Sequence, residues 1–208
     1  MMNIFLFWIL TGILAYLLGS IPSAVWIGQR FYGIDIRERG SKNAGATNVL
    51  RVLGKKPALL VFVIDVLKSV IPVYFLPFLS VYLQGSEMYV TYQLFLGVMV
   101  VIGHIFPVFA QFRGGKGVAT LLGVTLGIVP LATSICFLFF VMILLMSKTV
   151  SLSSLCTALF FCFYIFFISG TYLISLQLFA IMATILLFIT HRKNITRLIH
   201  KEEPKIKF

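Results

Sequence analysis

The stretch FRGGKGVAT, residues 112–120, combines residue types that can bind a phosphate. Its cations and glycines alternate closely in the chain: Arg113, Gly114, Gly115, Lys116, Gly117. Glycines let successive backbone amides turn toward an anion, and the two cations add positive charge. The stretch is not a Walker A motif, because Lys116 is followed by glycine rather than by serine or threonine. It predicts a phosphate-binding loop of another kind.

A second polar segment, GSKNAGATNVLR at 40–51, is rich in small hydrogen-bonding residues. Its candidate ligands are Gly40, Ser41, Asn43, Thr47, Asn48 and Arg51. Glycine permits close approach of a ligand to the backbone. The alternative is an ordinary polar turn that leads into a helix, with Thr47 or Asn48 as the N-cap. Composition alone does not decide between a ligand site and a turn.

Two polar segments near the C-terminus add hydroxyls, an amide and a histidine. SKTVSLSS at 147–154 supplies hydroxyls that either cap the next helix or bind phosphate oxygens: Ser151, Ser153, Ser154. HRKN at 191–194 places His191 and Asn194 three residues apart, which puts them on one helix face. Its two cations, Arg192 and Lys193, fit a stop-transfer cluster.

Three ionisable residues fall inside long apolar segments. Asp65 and Lys68 are three residues apart, so they can pair on one helix face. Intramembrane charges are costly and often functional, although a pair that only anchors a helix bundle is an equal alternative. His104 is either a hydrogen-bonded packing element or a proton carrier. We expect all three to support the site rather than to react.

The composition indicates an integral membrane protein. Of the 208 residues, 60% are hydrophobic and only 11% are charged. A water-soluble domain cannot bury so much apolar surface, so the lipid bilayer is an expected partner. The net charge of +11 would suit nucleic acid, but in a membrane protein surplus Lys and Arg mark the cytoplasmic side. We therefore expect no nucleic-acid partner.

Apolar runs predict the membrane crossings. Residues 4–28, 57–79 and 88–110 each suffice for one helix, and 118–146 and 149–190 are longer charge-free runs. The run 149–190 is long enough for two crossings, with its break at Ser169-Gly170-Thr171. The run 118–146 either forms one tilted helix or turns near Gly127 to Pro130 into two short ones.

Charge asymmetry predicts the orientation. The loop 29–56 carries seven cations and the loop 80–87 carries none, so the first is cytoplasmic and the second is outside. The N-terminus is then outside, and the cationic C-terminal end is cytoplasmic. This requires an even number of crossings in 118–146. We therefore predict an all-α polytopic protein with seven transmembrane helices, two of them short.

This orientation places the polar segments that carry the candidate binding residues on the cytoplasmic face. The segments concerned are 37–56, 111–117, 147–154 and the chain from His191. They carry cations, hydroxyls and amides with few acids, which is typical of an anion site. Because the bilayer adjoins them, a phosphate-headed amphiphile is the expected ligand.

Six motifs occur in an order that is typical of one enzyme family. They are GSIPS (19–23), GSKNAGATNVLR (40–51), GHIFPVF (103–109), FRGGKGVAT (112–120), SLSS (151–154) and HRKN (191–194). In these motifs the chain closely resembles the bacterial acyl-phosphate-dependent glycerol-3-phosphate acyltransferases, over nearly its whole length. The resemblance implies one membrane domain over residues 1–208, with a short polar tail from about 198. It also implies a multi-pass protein of the bacterial cell membrane whose active site faces the cytoplasm.

The resemblance implies the reaction and its residues. The expected substrates are acyl phosphate and glycerol 3-phosphate, and the expected products are lysophosphatidic acid and inorganic phosphate, the first acylation of phospholipid synthesis. Ser41, Arg51, Lys116 and His191 match the family's catalytic positions, and Asn194 and one of the serines at 151–154 match its binding positions. The chain departs from the family pattern at Lys42, where glycine is usual, and at Ala44.

Several mechanistic alternatives stay open at this stage. The hypothesis is direct transfer with His191 as a positioning group, and the rival is His191 as general base. Ser41 as a covalent nucleophile is less favoured, because the donor is already activated. A His-x4-Asp mechanism is excluded, since neither Asp35 nor Asp65 follows a histidine by five residues.

We expect no cofactor, no metal ion, no free coenzyme A and no obligate protein partner. The alternative function is a transporter or channel for phosphate-headed lipids or anions.

Overall fold

A computed structural model describes residues 3–171 and 173–206, and the regular structure of these residues is helical. The α-helices in chain order are α1 Ile4–Gly19, α2 Ser23–Tyr32, α3 Ala46–Val52, α4 Lys55–Phe75, α5 Glu87–Ile105, α6 Val118–Ile128, α7 Pro130–Ser147, α8 Val150–Phe167, α9 Ile174–Thr190 and α10 Arg192–Ile199. Short 3-10 turns lie at Ile36–Glu38, Leu76–Leu79 and Val108–Ala110.

Five helical segments of the described residues are long and apolar enough to cross a membrane. They are Ile4–Tyr32, Lys55–Leu79, Glu87–Ala110, Pro130–Ser147 and Val150–Phe167. A sixth candidate is α9 with α10, which bends by 65° at His191. The predicted all-helical membrane architecture is confirmed, while the count of seven crossings and the orientation of the termini stay predictions.

Two helix breaks fall where the sequence placed them. Helix α6 ends at Ile128 and α7 begins at Pro130. Proline suits the first helical position, since it has no N–H to leave unsatisfied and its φ is already helical. Helix α8 ends at Phe167, just before the Ser169-Gly170-Thr171 interruption.

The chain forms two compact units, Met1–Ile128 (unit 1) and Val129–Phe208 (unit 2). In unit 1, α4 packs against α1, α2, α3, α5 and α6, and α1 packs along α5. A Cβ at Gly19 would overlap the Val100 backbone, and one at Gly103 would overlap the Tyr16 carbonyl. Small residues at these crossings therefore let α1 and α5 approach closely, as membrane helices commonly do.

The segment between α2 and α4 has its own apolar core. Ile36 and Val49 are fully buried there, together with Val25 of α2 and Val61 of α4. This core fixes the 33–54 segment against the helices, so the polar residues between 40 and 51 are held in defined positions.

In unit 2, α8 is the central helix. It packs against α7, α9 and α10. The rings of Phe139 and Phe160 stack at a centroid separation of 4.3 Å, and the Thr184 hydroxyl donates to the Ala158 carbonyl at 3.1 Å. These contacts position the start of α8 and the α9–α10 bend, which carry the polar residues of this unit.

Large apolar side chains cover the outer surfaces of the helices. Leu138, Phe163 and Ile185, for example, are each more than 50% exposed. Such a surface is unfavourable in water and suits contact with lipid chains.

Candidate functional site

Asn48 organises the first polar segment. Its Oδ1 accepts a hydrogen bond from the Ser41 backbone N–H at 2.8 Å, and its Nδ2 donates to the carbonyls of Ile36 and Arg39 at 2.9 and 3.0 Å. The side chain is buried. These bonds hold the turn that presents Ser41, so the structure gives Asn48 a positioning role in place of the direct ligand contact expected from sequence.

The start of α3 differs from the alternative in which Thr47 or Asn48 is the N-cap. Gly45 is the N-cap, so Thr47 and Asn48 lie inside the first turn and neither caps the helix. Gly40 has a φ of 56°, and a Cβ there would overlap the Asn48 amide. The glycine is therefore required by the turn itself.

The segment 113–117, here called the glycine loop, packs directly on the C-terminal end of α5. The backbone N–H of Gly114 donates to the Ile105 carbonyl at 3.1 Å, and that of Gly115 donates to the His104 carbonyl at 3.1 Å. A Cβ at Gly114 would overlap the His104 carbonyl, and one at Gly115 would overlap the His104 ring. These two amides are thus occupied by α5, which corrects the expectation that glycine frees them for a phosphate. Their glycines serve close packing.

The cations lie beside these packed segments. Arg51 is in the last turn of α3, and Lys116 stands between Gly115 and Gly117, two residues before the start of α6. Both side chains are partly exposed, whereas Arg113 is exposed. A Cβ at Gly115 would lie 3.1 Å from the Ala44 carbonyl, so the 40–51 segment and the glycine loop meet within unit 1.

A buried polar cluster lies under this meeting point. Lys68 Nζ lies 2.8 Å from Asp65 Oδ1 and 3.0 Å from His104 Nδ1, and Asp65 Oδ1 also accepts from the Ser23 hydroxyl at 2.7 Å. The predicted pairing of Asp65 with Lys68 is present. The cluster lines a small cavity together with Ala44 of the 40–51 segment and Gly114 and Gly115 of the glycine loop, and Ile21, Pro22 and Pro107 complete the lining.

Arg37 connects the loop after α2 to the segment between α5 and the glycine loop. Arg37 Nη1 donates to the Ala110 carbonyl at 2.8 Å, and the guanidinium pairs with Asp35 at 2.6 Å. The hydrogen bond from Arg37 lowers the pKa of the Asp35 carboxyl, in spite of partial burial. Arg37 thereby ties the loop after α2 to the turn that precedes the glycine loop.

In unit 2, two predicted binding residues, Ser151 and Asn194, share one carboxylate with Arg197. Glu203 Oε1 accepts from the Ser151 hydroxyl at 3.0 Å and from Asn194 Nδ2 at 2.6 Å, and Glu203 Oε2 accepts from Arg197 Nε at 2.7 Å. Glu203 is only 8% exposed. Burial alone would raise the pKa of this carboxyl, but the hydrogen bonds from Arg197, Asn194 and Ser151 outweigh it, and the pKa is lowered.

The three candidate serines have different surroundings. Ser153 donates to the Thr149 carbonyl and Ser154 to the Val150 carbonyl, both at 2.9 Å and both within the helix. The hydroxyl of Ser151 instead donates to an anionic group. Ser151 is therefore the serine whose environment resembles an anion site.

His191 lies at the bend between α9 and α10 and is buried. Its Nδ1 lies 2.9 Å from the Leu187 carbonyl. A carbonyl only accepts hydrogen bonds, so Nδ1 carries the hydrogen and Nε2 of the neutral ring carries the lone pair. This tautomer can accept a hydrogen bond at Nε2.

Sequence reasoning did not identify Ser23, Arg37 or Glu203 as site residues. The sequence placed Glu203 in a polar tail. In the structure the chain after α10 returns to the start of α8, where the Ile206 N–H donates to the Lys148 carbonyl at 2.8 Å. The one sequence feature that could have indicated a role for Glu203 is its negative charge within a strongly cationic C-terminal segment. Among the described residues, no group of three or more His, Cys, Asp or Glu side chains is arranged to hold a metal ion.

The chain is similar to known proteins along almost its full length. The family model for glycerol-3-phosphate acyltransferase matches residues 9–201. The glycerol-3-phosphate acyltransferase of Listeria welshimeri is 46% identical over 204 residues, covering 96% of this chain and 97% of the relative. That of Bacillus subtilis is 45% identical over 197 residues, covering 94% and 96%.

Two solved structures have the same fold. They are crystal structures of PlsY (YgiH), an integral membrane glycerol 3-phosphate acyltransferase, in a glycerol 3-phosphate form and a lysophosphatidic acid form. The TM-scores are 0.85 and 0.82 at 36% identity, and the matches cover 96% of this chain.

Proposed function

Since the chain belongs to the glycerol-3-phosphate acyltransferase family, we propose that it transfers a fatty acyl group from acyl phosphate to glycerol 3-phosphate. The products are 1-acyl-glycerol 3-phosphate, which is lysophosphatidic acid, and inorganic phosphate. The observation that carries this proposal is the family match over residues 9–201, which includes every candidate catalytic residue from Ser41 to His191.

The donor is proposed from the chemistry that the site residues can supply. Acyl phosphate is a mixed anhydride with a good leaving group, so the enzyme needs no acyl carrier of its own. It must hold phosphate groups and orient a hydroxyl about 3–3.5 Å from the acyl carbon. Basic residues in glycine-rich surroundings suit this task better than they suit activation of an unreactive acid.

Arg51 and Lys116 are assigned to bind the substrate phosphates and neutralise their charge. Arginine can bind a phosphate through two parallel hydrogen bonds, and lysine acts as a point charge. Lys116 also lies two residues before the N-terminus of α6, where the helix dipole favours an anion. Ser41, held by the Asn48 turn, is assigned as a hydrogen-bond donor to the developing oxyanion.

The transfer is proposed to be direct. The glycerol hydroxyl oxygen bonds to the acyl carbon, the bond from that carbon to the phosphate oxygen breaks, and the hydroxyl proton passes to the departing phosphate. Ser41 is not needed as a nucleophile, because the donor is already activated. Trapping of a labelled acyl-enzyme on Ser41 would contradict direct transfer.

His191 is assigned to hold the acceptor hydroxyl. The Leu187 carbonyl fixes its Nδ1–H, so Nε2 can accept a hydrogen bond from that hydroxyl. The same geometry would serve a general base, and His191→Gln separates the two roles, because a glutamine amide oxygen can accept a hydrogen bond but cannot take up a proton. Activity retained in His191→Gln and lost in His191→Ala supports positioning, whereas equal loss in both supports a general base.

In unit 2, Ser151 and Asn194 are assigned to phosphate binding. The assignment is supported by the hydrogen bonds that both side chains donate to an anionic oxygen, that of Glu203. The membrane arrangement proposed with this function has seven crossings, an outside N-terminus and a site open to the cytoplasm of a bacterial cell.

The test is an assay of purified protein in detergent. With acyl phosphate and glycerol 3-phosphate together, we expect release of inorganic phosphate and formation of lysophosphatidic acid. Omission of either substrate, or replacement of acyl phosphate by acyl-coenzyme A, should abolish the product. Product formed equally well from acyl-coenzyme A would overturn the proposed donor, and no product from either donor would favour the transporter.

A further inference from the structure

The cluster of Asp65, Lys68 and His104 lies inside the helices of unit 1 and takes no part in the proposed chemistry. These side chains are 1%, 6% and 7% exposed, respectively. Burial of an ion pair is costly unless its hydrogen-bonding groups are satisfied. Apolar residues could hold the helices together equally well, so helix packing alone does not explain a buried charged cluster. The contacts that the cluster makes outside α4 and α5 indicate an additional role.

The ammonium group of Lys68 is fully coordinated. Its partners are Asp65 Oδ1 at 2.8 Å, the Ile21 carbonyl at 2.8 Å and His104 Nδ1 at 3.0 Å. An ammonium group has three N–H donors and no acceptor, so each N–H has one partner. His104 Nδ1 must therefore accept, and Nε2 carries the hydrogen of the neutral ring. Lys68 fixes both the tautomer and the orientation of this imidazole.

The far side of the same ring supports the glycine loop. The ring edge at Nε2 and Cε1 fills the place where a Gly115 side chain would stand. The carbonyl of His104 accepts the Gly115 N–H, and the next carbonyl, of Ile105, accepts the Gly114 N–H. The loop thus rests on His104 through its ring and through its backbone, and Lys116 is the next residue of the chain.

We propose that His104 is a positioning residue, whose imidazole, held by Lys68 and Asp65, sets the backbone path of Gly114 and Gly115 and thereby presents Lys116 to a substrate phosphate. The part that concerns Lys116 rests on the proposed function. The part that concerns the loop does not, since it follows from the packing alone. The two parts can be measured separately.

The test variant is His104→Asn. Asparagine Oδ1 can replace Nδ1 as the acceptor for Lys68, so the buried cluster keeps its hydrogen bonds, but the atoms that touch Gly115 are removed. The control is His200→Asn, because His200 is exposed at the end of α10. Hydrogen–deuterium exchange of a peptide covering residues 112–118 reports on the loop, and steady-state kinetics report on Lys116.

We expect faster exchange in His104→Asn, a melting temperature close to that of the parent, and a KM raised roughly tenfold for one of the two phosphate substrates with little change in kcat. The control should match the parent in all of these. Unchanged exchange overturns the proposal, as do unchanged KM values in an active enzyme. If the parent catalyses no acyl transfer, the proposed function fails, and the exchange result alone decides whether His104 positions the loop.

A second variant keeps the proposal testable if His104→Asn does not fold. The double variant Asp65→Asn with Lys68→Met removes both buried charges together, which avoids an unpaired charge. A purely structural cluster predicts that this variant keeps both the melting temperature and the KM values of the parent. The proposal predicts a melting temperature close to that of the parent, together with faster exchange of 112–118 and a higher KM than in the parent.

Discussion

Arg51 and Lys116 are the side chains on which the proposed phosphate binding depends most. Each lies near a helix terminus: Arg51 in the last turn of α3, and Lys116 two residues before the start of α6. Replacement of either by alanine should lower kcat/KM by about 10- to 100-fold, since hydrogen bonds to charged groups contribute about 1.5–3 kcal/mol.

The phosphate-release assay measures this loss, and two exposed cations provide matched controls. Arg30→Ala and Lys56→Ala each remove one positive charge from unit 1 and should retain the parent rate. Parent-like activity of both Arg51→Ala and Lys116→Ala would contradict the proposed binding of substrate phosphate by these two side chains.

The serines of α8 allow a prediction at the same scale. Ser151→Ala removes a donor that already contacts an anionic oxygen, whereas Ser153→Ala removes a hydroxyl bonded to its own helix. We expect Ser151→Ala to lower kcat/KM by about tenfold or more, and Ser153→Ala to change it less than about threefold. Equal effects in the kinetic assay would contradict the assignment of Ser151.

The sequence could indicate these residues only by type. Cations and hydroxyls in polar interruptions of apolar runs are visible in the chain, so Arg51, Lys116 and the serine group can be identified as candidates. The choice among Ser151, Ser153 and Ser154 was not possible, because a helical hydroxyl can always donate to the carbonyl four residues before it. Only the position of Glu203 separates them.

At the scale of elements, loops in this protein are held by helix ends. Asn48 closes the turn around Ser41, the end of α5 holds the glycine loop, and Glu203 holds the last segment against α8 and α10. The i, i+3 spacing of Asp65 and Lys68 predicted their pair, because helical geometry is local. Their contact with His104 joins residues 36 positions apart, which no local pattern can indicate.

The Glu203 contacts predict how stability depends on pH. The folded-state pKa of this carboxyl lies below its ordinary value of 4.5, so its contribution to stability is fully present above about pH 4.5. That contribution is lost as the pH falls through the lower folded-state value. Melting temperatures of the parent should therefore fall more steeply below pH 4.5 than those of Glu203→Gln.

A neighbouring acid provides the control for this measurement. Glu202 is exposed, and Glu202→Gln should keep the acid sensitivity of the parent. If Glu203→Gln and the parent lose stability in parallel on acidification, the Glu203 carboxylate does not stabilise the C-terminal segment.

At the scale of the whole molecule, composition was the strongest guide. Sixty per cent hydrophobic residues indicated a membrane protein, and the long apolar runs located the main helices. Helix α6 is the exception, since its length of 11 residues is short for a crossing. The number of crossings depends on such short helices, and hydropathy alone does not determine it.

Thiol labelling tests the proposed orientation. In a protein without its three native cysteines, we introduce Lys42→Cys, Gln84→Cys or Lys201→Cys, all at exposed positions. A membrane-impermeant maleimide should label Gln84→Cys from outside the cell and should label the other two only after the membrane is opened. Labelling of positions 42 and 201 from opposite sides would contradict a cytoplasmic location of both basic segments.

The central claim is that this membrane protein joins two phosphate-bearing substrates by direct acyl transfer. The most direct measurement quantifies lysophosphatidic acid and inorganic phosphate together, in one reaction of the purified protein with acyl phosphate and glycerol 3-phosphate. The account predicts that both appear at equal rates and that neither exceeds background without glycerol 3-phosphate. Phosphate release that continues at full rate without the acceptor, or with no lysophosphatidic acid, would contradict it.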